Sequence, residues 1–255
     1  MLFIVISIIT LIAITLVGGL LPSRIGSMSK QGQRWLILGN IFAGGIFLGG
    51  GLMHLLPESI ENLEGLVEGI EFPFAFLIAA IGFLLILFIE EVALKGEEDV
   101  GEMSEGRVAY PFMLTFILSV HSVIAGMALG LNAGLLTGVT IFIAIIAHKG
   151  FETFALGVSL HNTNFSYRRQ VAVIAFFSCM TPLGIILGAI FSNYLRDSSS
   201  QTFEGGFNAL AAGTFIYVAI VEIINESFGE GNDRLAKFGS ILLGFGMMAI
   251  LALWV

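Results

Sequence analysis

Three side chains that bind divalent metals lie inside apolar stretches of this sequence. One stretch reads His121-Ser122-Val123-Ile124-Ala125-Gly126-Met127-Ala128-Leu129-Gly130, the other His148-Lys149-Gly150-Phe151-Glu152-Thr153-Phe154-Ala155-Leu156-Gly157. Each is a histidine, six residues, then Ala-Leu-Gly, so the two resemble a short internal repeat. His148 and Glu152 stand four residues apart and share one face of a helix. An imidazole and a carboxylate on that face reach one ion, and His121 from a facing helix adds a third donor. Imidazole suits zinc and other first-row metals better than calcium or magnesium. Three protein donors with an open position permit exchange, unlike the closed four-ligand cage of a structural zinc. The competing reading is a set of hydrogen-bonded packing residues. A repeated histidine together with His-x-x-x-Glu favours the metal.

Other polar residues in apolar surroundings extend the pattern. Lys149 needs a partner, because a buried ammonium is costly alone; Glu152, Glu222 and Ser122 are the candidates. It either stands in for a second cation or is a neutral lysine. Glu222 and Glu226 are again four apart, at the end of an apolar run, and form a candidate exit path or a helix end among headgroups. His54 and Glu58 share a face at the end of another run, as a metal entrance or an interfacial pair. His161 either passes metal onward or is solvated. Glu90 and Glu91 read as interfacial, and Cys179 as a plain apolar-helix residue.

These residues need helices that cross a bilayer. The chain has 255 residues, 56% of them hydrophobic and 12% charged, with a mean hydropathy of +0.96. Soluble proteins carry roughly 25% charged residues, so the charge is too sparse to cover a water-facing surface. The net charge of −8 and the lack of a basic run argue against nucleic acid. A span needs about 20 mostly apolar residues. Eight segments qualify: 2–21, 35–57, 72–94, 110–131, 134–160, 171–194, 206–228 and 237–254. Pro22, Pro57, Pro73 and Pro111 fall near span ends as start or stop signals, and Pro182 should kink the sixth span. There are 32 glycines, and small residues let spans approach closely. The chain reads as one transmembrane domain, 1–255, with no soluble domain.

Basic residues set the orientation. With the N-terminus outside, the inner segments hold Arg24, Lys30, Arg34, Lys95, Arg107, Arg168, Arg169, Arg234 and Lys237, and the outer ones only Arg196. The bias places both termini outside. The second outer loop carries Glu58, Glu61, Glu64, Glu68 and Glu71 and no basic residue. It is either a solvated loop or an electrostatic funnel for cations.

Together these features resemble the ZIP (Zrt-, Irt-like) family of divalent metal transporters, over essentially the whole chain. The resemblance rests on the eight spans, the glycine-rich run ending His54-Leu55-Leu56-Pro57-Glu58-Ser59, the pairs His121-Ser122 and His148-Lys149, Thr181-Pro182-Leu183-Gly184, and Glu222. It implies an inverted-repeat helical bundle, with the first three and last three spans related and the metal-binding fourth and fifth spans central. It also implies transport toward the cytoplasm. Many members bridge two metals with carboxylates. Here the fourth-span position that is glutamate in the family is Ala125, and Lys149 stands where binuclear members are acidic. One central metal is therefore expected, on His121, His148 and Glu152, with Ser122 and Glu222 as further candidate ligands.

The expected cargo is Zn²⁺, with Cd²⁺, Fe²⁺ and Mn²⁺ as alternatives, and no cofactor. The expected mechanism is alternating access. Metal enters past His54 and Glu58 and leaves past Glu222, Glu226 and His161. The expected partners are the metal ion and the lipid bilayer, with a homodimer as a candidate assembly, and the expected location is a bacterial inner membrane. Two rivals are a metal-dependent intramembrane hydrolase and a non-transporting metal sensor. No His-Glu-x-x-His motif supports the former.

Overall fold

The computed structural model describes residues 2–26, 30–66, 71–94, 105–132, 136–163, 165–191, 198–229 and 233–253. Lys95, Arg196 and Glu68, and the side chains of Lys30, Arg107 and Glu226, lie outside the described residues. Among the described residues, eight helices are long and apolar enough to cross a bilayer. They are α1 (Leu2–Ile25), α2 (Gln31–Leu63), α3 (Phe74–Val92), α4 (Pro111–Leu131), α5 (Leu136–Asn162), α6 (Tyr167–Ile190), α7 (Gln201–Asn225) and α8 (Arg234–Leu251). The fold is an all-α membrane bundle.

The helices pack in four pairs, α4 with α6, α1 with α5, α2 with α8, and α3 with α7, and an equally extensive contact of α2 with α7 joins two of them. Exchanging α1–α3 with α6–α8 and α4 with α5 maps this set of pairs onto itself. α6 comes five crossings after α1, an odd number, so the two halves run in opposite directions across the membrane, as an inverted repeat requires.

Glycine makes each pairing close. A Cβ on Gly126 of α4 would strike the Thr181 carbonyl of α6, and one on Gly184 would strike that of Val123. Gly157 and Gly19, Gly244 and Phe42, and Gly213 and Ala79 repeat the contact in the other three pairs. Without a hydrophobic drive between helices in lipid, such backbone approach supplies the packing that holds them together.

Proline does not end helices as its position in the sequence predicts. Pro22 and Pro111 lie inside continuous helix, and Pro73 alone of the four caps one. Pro57 opens an α-helical continuation over Leu56–Leu63. The turn before it, Gly50–Leu55, is π-helical, with the Leu56 N–H bonded to the Gly51 carbonyl. Spans tolerate proline where local π adjustments satisfy the freed backbone groups. As a result the acidic outer loop is shorter than expected, and Glu58 and Glu61 sit on helix. In α6 the helix is interrupted at Cys179. That is one residue past Ser178, whose carbonyl Pro182 cannot serve for want of an N–H. Two further π-helical stretches occur, at Ile89–Leu94 and Val218–Asn225. The stretches on α2 and α7 occupy helices that the repeat exchanges.

Candidate metal centre

α4 and α5 carry the donors near the middle of their spans. His121, His148 and Glu152 are buried, and one donor atom from each lies within 4.8 Å of the others. His121 Nε2 is 3.5 Å and His148 Nε2 3.6 Å from the same oxygen, Glu152 Oε1. For metal bonds of about 2.0–2.1 Å, tetrahedral ligands stand roughly 3.3–3.4 Å apart, so the spacing suits one ion. Glu152 Oε1 has no hydrogen-bond partner. A buried acceptor left in that state is costly, and an ion would satisfy it. The donors face a cavity of about 10 Å³, walled also by His54, Gly50 and Phe215. That is near the lower limit for one water, so a cation fits only after shedding most of its hydration.

The other carboxylate oxygen is engaged. Lys149 Nζ lies 3.4 Å from Glu152 Oε2 and donates to Ser122 Oγ. Ser122 in turn donates to the Leu118 carbonyl at 2.5 Å. The ammonium sits 4.2 Å from the centroid of the Phe177 ring on α6, a cation–π distance. Ser122 is thus placed with the ammonium rather than among the grouped donors. Ala125, one turn beyond His121, packs against an apolar cluster of Leu11, Leu129, Ile145 and Ile185.

The remaining candidates are spread along the molecule. The His54 ring centroid is 6.3 Å from that of His148, so His54 adjoins the centre from α2. Glu58 is half-buried, with Glu61 and Glu204 of α7 as electrostatic neighbours. Glu222 is not in the donor group. It lies on the π-helical stretch of α7, in the electrostatic surroundings of the Tyr217 hydroxyl together with Glu90 and Glu91. His161 is half-buried in the last turn of α5. The backbone of Glu226 opens the short helix Glu226–Gly229.

Sequence reasoning missed three contributors. Tyr217 is fully buried on α7 and donates to Glu90 Oε2 on α3 at 2.8 Å, a partner that the interfacial reading of Glu90 did not include. Phe177 seats the Lys149 ammonium, and Phe215 packs edge-on against His121 at 4.9 Å. One signal was available for Tyr217: it is one of only four tyrosines and falls inside a span. The two phenylalanines are among 23 and carry none.

Comparison with known proteins finds similar chains. The family model described as "ZIP Zinc transporter" matches residues 1–98 and 93–252. "Zinc transporter ZIP2" of Homo sapiens is 28% identical over 96% of this chain and 95% of that protein. "Zinc transporter ZIP1" of Mus musculus is 29% identical over 95% of this chain and 88% of its own length. "Zinc transporter 3" of Arabidopsis thaliana is 30% identical over 84% of this chain and 72% of its own.

Proposed function

Because the chain belongs to the ZIP zinc transporter family, we propose that it carries divalent metal cations, zinc foremost, through one central site made by His121, His148 and Glu152. The observation that carries this reading is the convergence of three buried donors from two spans on one point. Cadmium, iron and manganese suit the same donors, since affinity order alone does not set selectivity. The relatives are zinc transporters by name and lend no support to the hydrolase alternative. The donor set leaves such an enzyme no acid or base besides the ligand Glu152.

Lys149 takes the place of a second cation. It balances Glu152 through Oε2 and leaves Oε1 to the transported ion. The remaining donors then serve a single metal, as the departure at Lys149 and Ala125 suggested.

The donors and Lys149 all lie on α4 and α5, and these pack on α6 and α1. Those four helices form the unit that bears the ion, and α2, α3, α7 and α8 form the unit it moves against. Away from the short link between α1 and α2, the close glycine contacts with a neighbouring backbone fall within the units, and Gly39 of α2 meets only the Phe154 side chain of α5 across them, which favours rigid-body motion between the units. Metal enters past Glu58 and His54 and leaves past Glu222, Glu226 and His161. Glu90, tied to Tyr217 beside Glu222, joins that exit. Ser122 acts through Lys149.

The bias of basic residues places both termini outside and the exit in the cytoplasm. Inward movement of a divalent ion gains about 4.6 kcal/mol per 100 mV of inside-negative potential, so no coupling ion is needed. The animal and plant relatives give no ground for a bacterial inner membrane.

Zinc flux into proteoliposomes tests the reading. His148→Ala and Glu152→Ala should each lose most of the flux. Flux equal to that of the parent in both would overturn the site.

A further inference from the structure

A groove of about 510 Å³ runs between α1, α2 and α5. Ala13, Val17 and Leu21 of α1, Phe42 of α2, and Phe151 and Phe154 of α5 line it. Within its lining Phe42 and Phe151 form an edge-to-face pair, with ring centroids 4.8 Å apart. No lining residue carries a charge or a hydroxyl. Val17 is 67% and Leu21 43% exposed, so the groove opens outward. All its residues lie within three membrane spans, so the opening faces hydrocarbon.

Water would find no polar partner there, and leaving the volume empty would forfeit contacts along its walls. The occupant that the setting supplies is an acyl chain. One end adds charge. Val17 and Leu21 lie one turn apart on α1, and Arg24 follows Leu21 by three residues on the same face. Arg24 is exposed in the last turn of the helix. A lipid with its tail in the groove would bring its phosphate to this guanidinium, and guanidinium matches phosphate geometry well.

We propose that the groove binds one acyl chain of an anionic phospholipid whose phosphate lies against Arg24. The chain then occupies the seam between α1 and α5 on one side and α2 on the other. On the reading under Proposed function, that seam shifts during transport, and the lipid props it. The binding itself does not depend on that reading.

The test uses the full chain in nanodiscs containing phosphatidylglycerol or phosphatidylcholine, each with a photoactivatable diazirine in its acyl chain. Adducts are mapped by mass spectrometry. Adducts should concentrate on the groove segments of α1, α2 and α5, with phosphatidylglycerol preferred. Val17→Trp, which fills the groove, should reduce them several-fold; Ala13→Phe serves where that variant fails to fold. Arg24→Gln should abolish the preference for phosphatidylglycerol. Adducts spread equally onto other exposed faces, such as Leu84 and Leu85 of α3, would overturn the proposal. Groove adducts unchanged by either filling variant would do the same. The readout involves neither metal nor flux, so its failure is distinct from failure of the transport reading.

Discussion

Lys149 and Glu152 divide one carboxylate between two charges. Lys149 Nζ is 3.4 Å from Oε2, while Oε1 faces two imidazoles and has no hydrogen-bond partner. One oxygen is neutralised within the protein and the other is presented to the cavity. Removing one partner of a buried ion pair leaves an uncompensated charge and costs about 3–5 kcal/mol. Lys149→Met should therefore lower the melting temperature of the metal-free protein. Zinc should raise that temperature by more in the variant than in the parent, because the ion then becomes the only counter-charge and binds the folded state alone. Equal zinc-induced shifts would contradict the assigned role of Lys149.

The glycines separate packing from helix propensity. A Cβ on Gly184 would collide with the Val123 carbonyl, whereas one on Gly239 meets nothing within 4 Å. Gly184→Ala should push α6 from α4 and destabilise by about 1–3 kcal/mol, the usual cost of overpacking. Gly239→Ala should be neutral or stabilise by up to about 1 kcal/mol through helix propensity. Thermal melts of both in detergent check the contrast, and a stable Gly184→Ala would count against the pairing of α4 with α6.

These contrasts mark what was legible in the sequence. The spans were, because the bilayer demands runs of apolar residues whatever the tertiary packing. The histidines and Glu152 were conspicuous because ionisable groups are rare in such runs. The end of α2 was not legible. Pro57 reads as a stop, yet the π-helical turn before it carries the helix on to Leu63. The division of labour between Ser122 and Glu222 was not legible either. Both are polar groups in spans, and only the packing of α4 on α5 places Ser122 beside Lys149 and leaves Glu222 near Tyr217.

The Tyr217–Glu90 hydrogen bond joins α7 to α3 at the start of two π-helical stretches. Hydrogen bonds to charged groups contribute about 1.5–3 kcal/mol. Tyr217→Phe should lower stability by about that amount. Glu90→Gln keeps a carbonyl acceptor and should do less harm. Neither should change the equilibrium affinity of the central site for zinc, measured by titration calorimetry. A loss of central affinity in Tyr217→Phe would mean that this bond supports the centre itself.

The entrance residues should affect capture more than retention. Glu58→Gln and His54→Ala are expected to raise the zinc concentration needed for half-maximal flux, with smaller effects on the maximal rate. The cause is the loss of a carboxylate that attracts cations to the mouth and, in His54→Ala, of a nitrogen donor on the way to the centre. The Glu58→Gln effect should shrink at high ionic strength, where charges more than about a Debye length apart are screened. An unchanged half-maximal concentration in both variants would move the entrance elsewhere.

The central claim is that one zinc ion sits between His121, His148 and Glu152. Zinc K-edge X-ray absorption on the metal-loaded protein tests it most directly. The account predicts one zinc per chain with nitrogen and oxygen donors at about 2.0–2.1 Å and the outer-shell scattering of two imidazoles, reduced to one in His121→Ala or His148→Ala. A spectrum that neither substitution alters would contradict it.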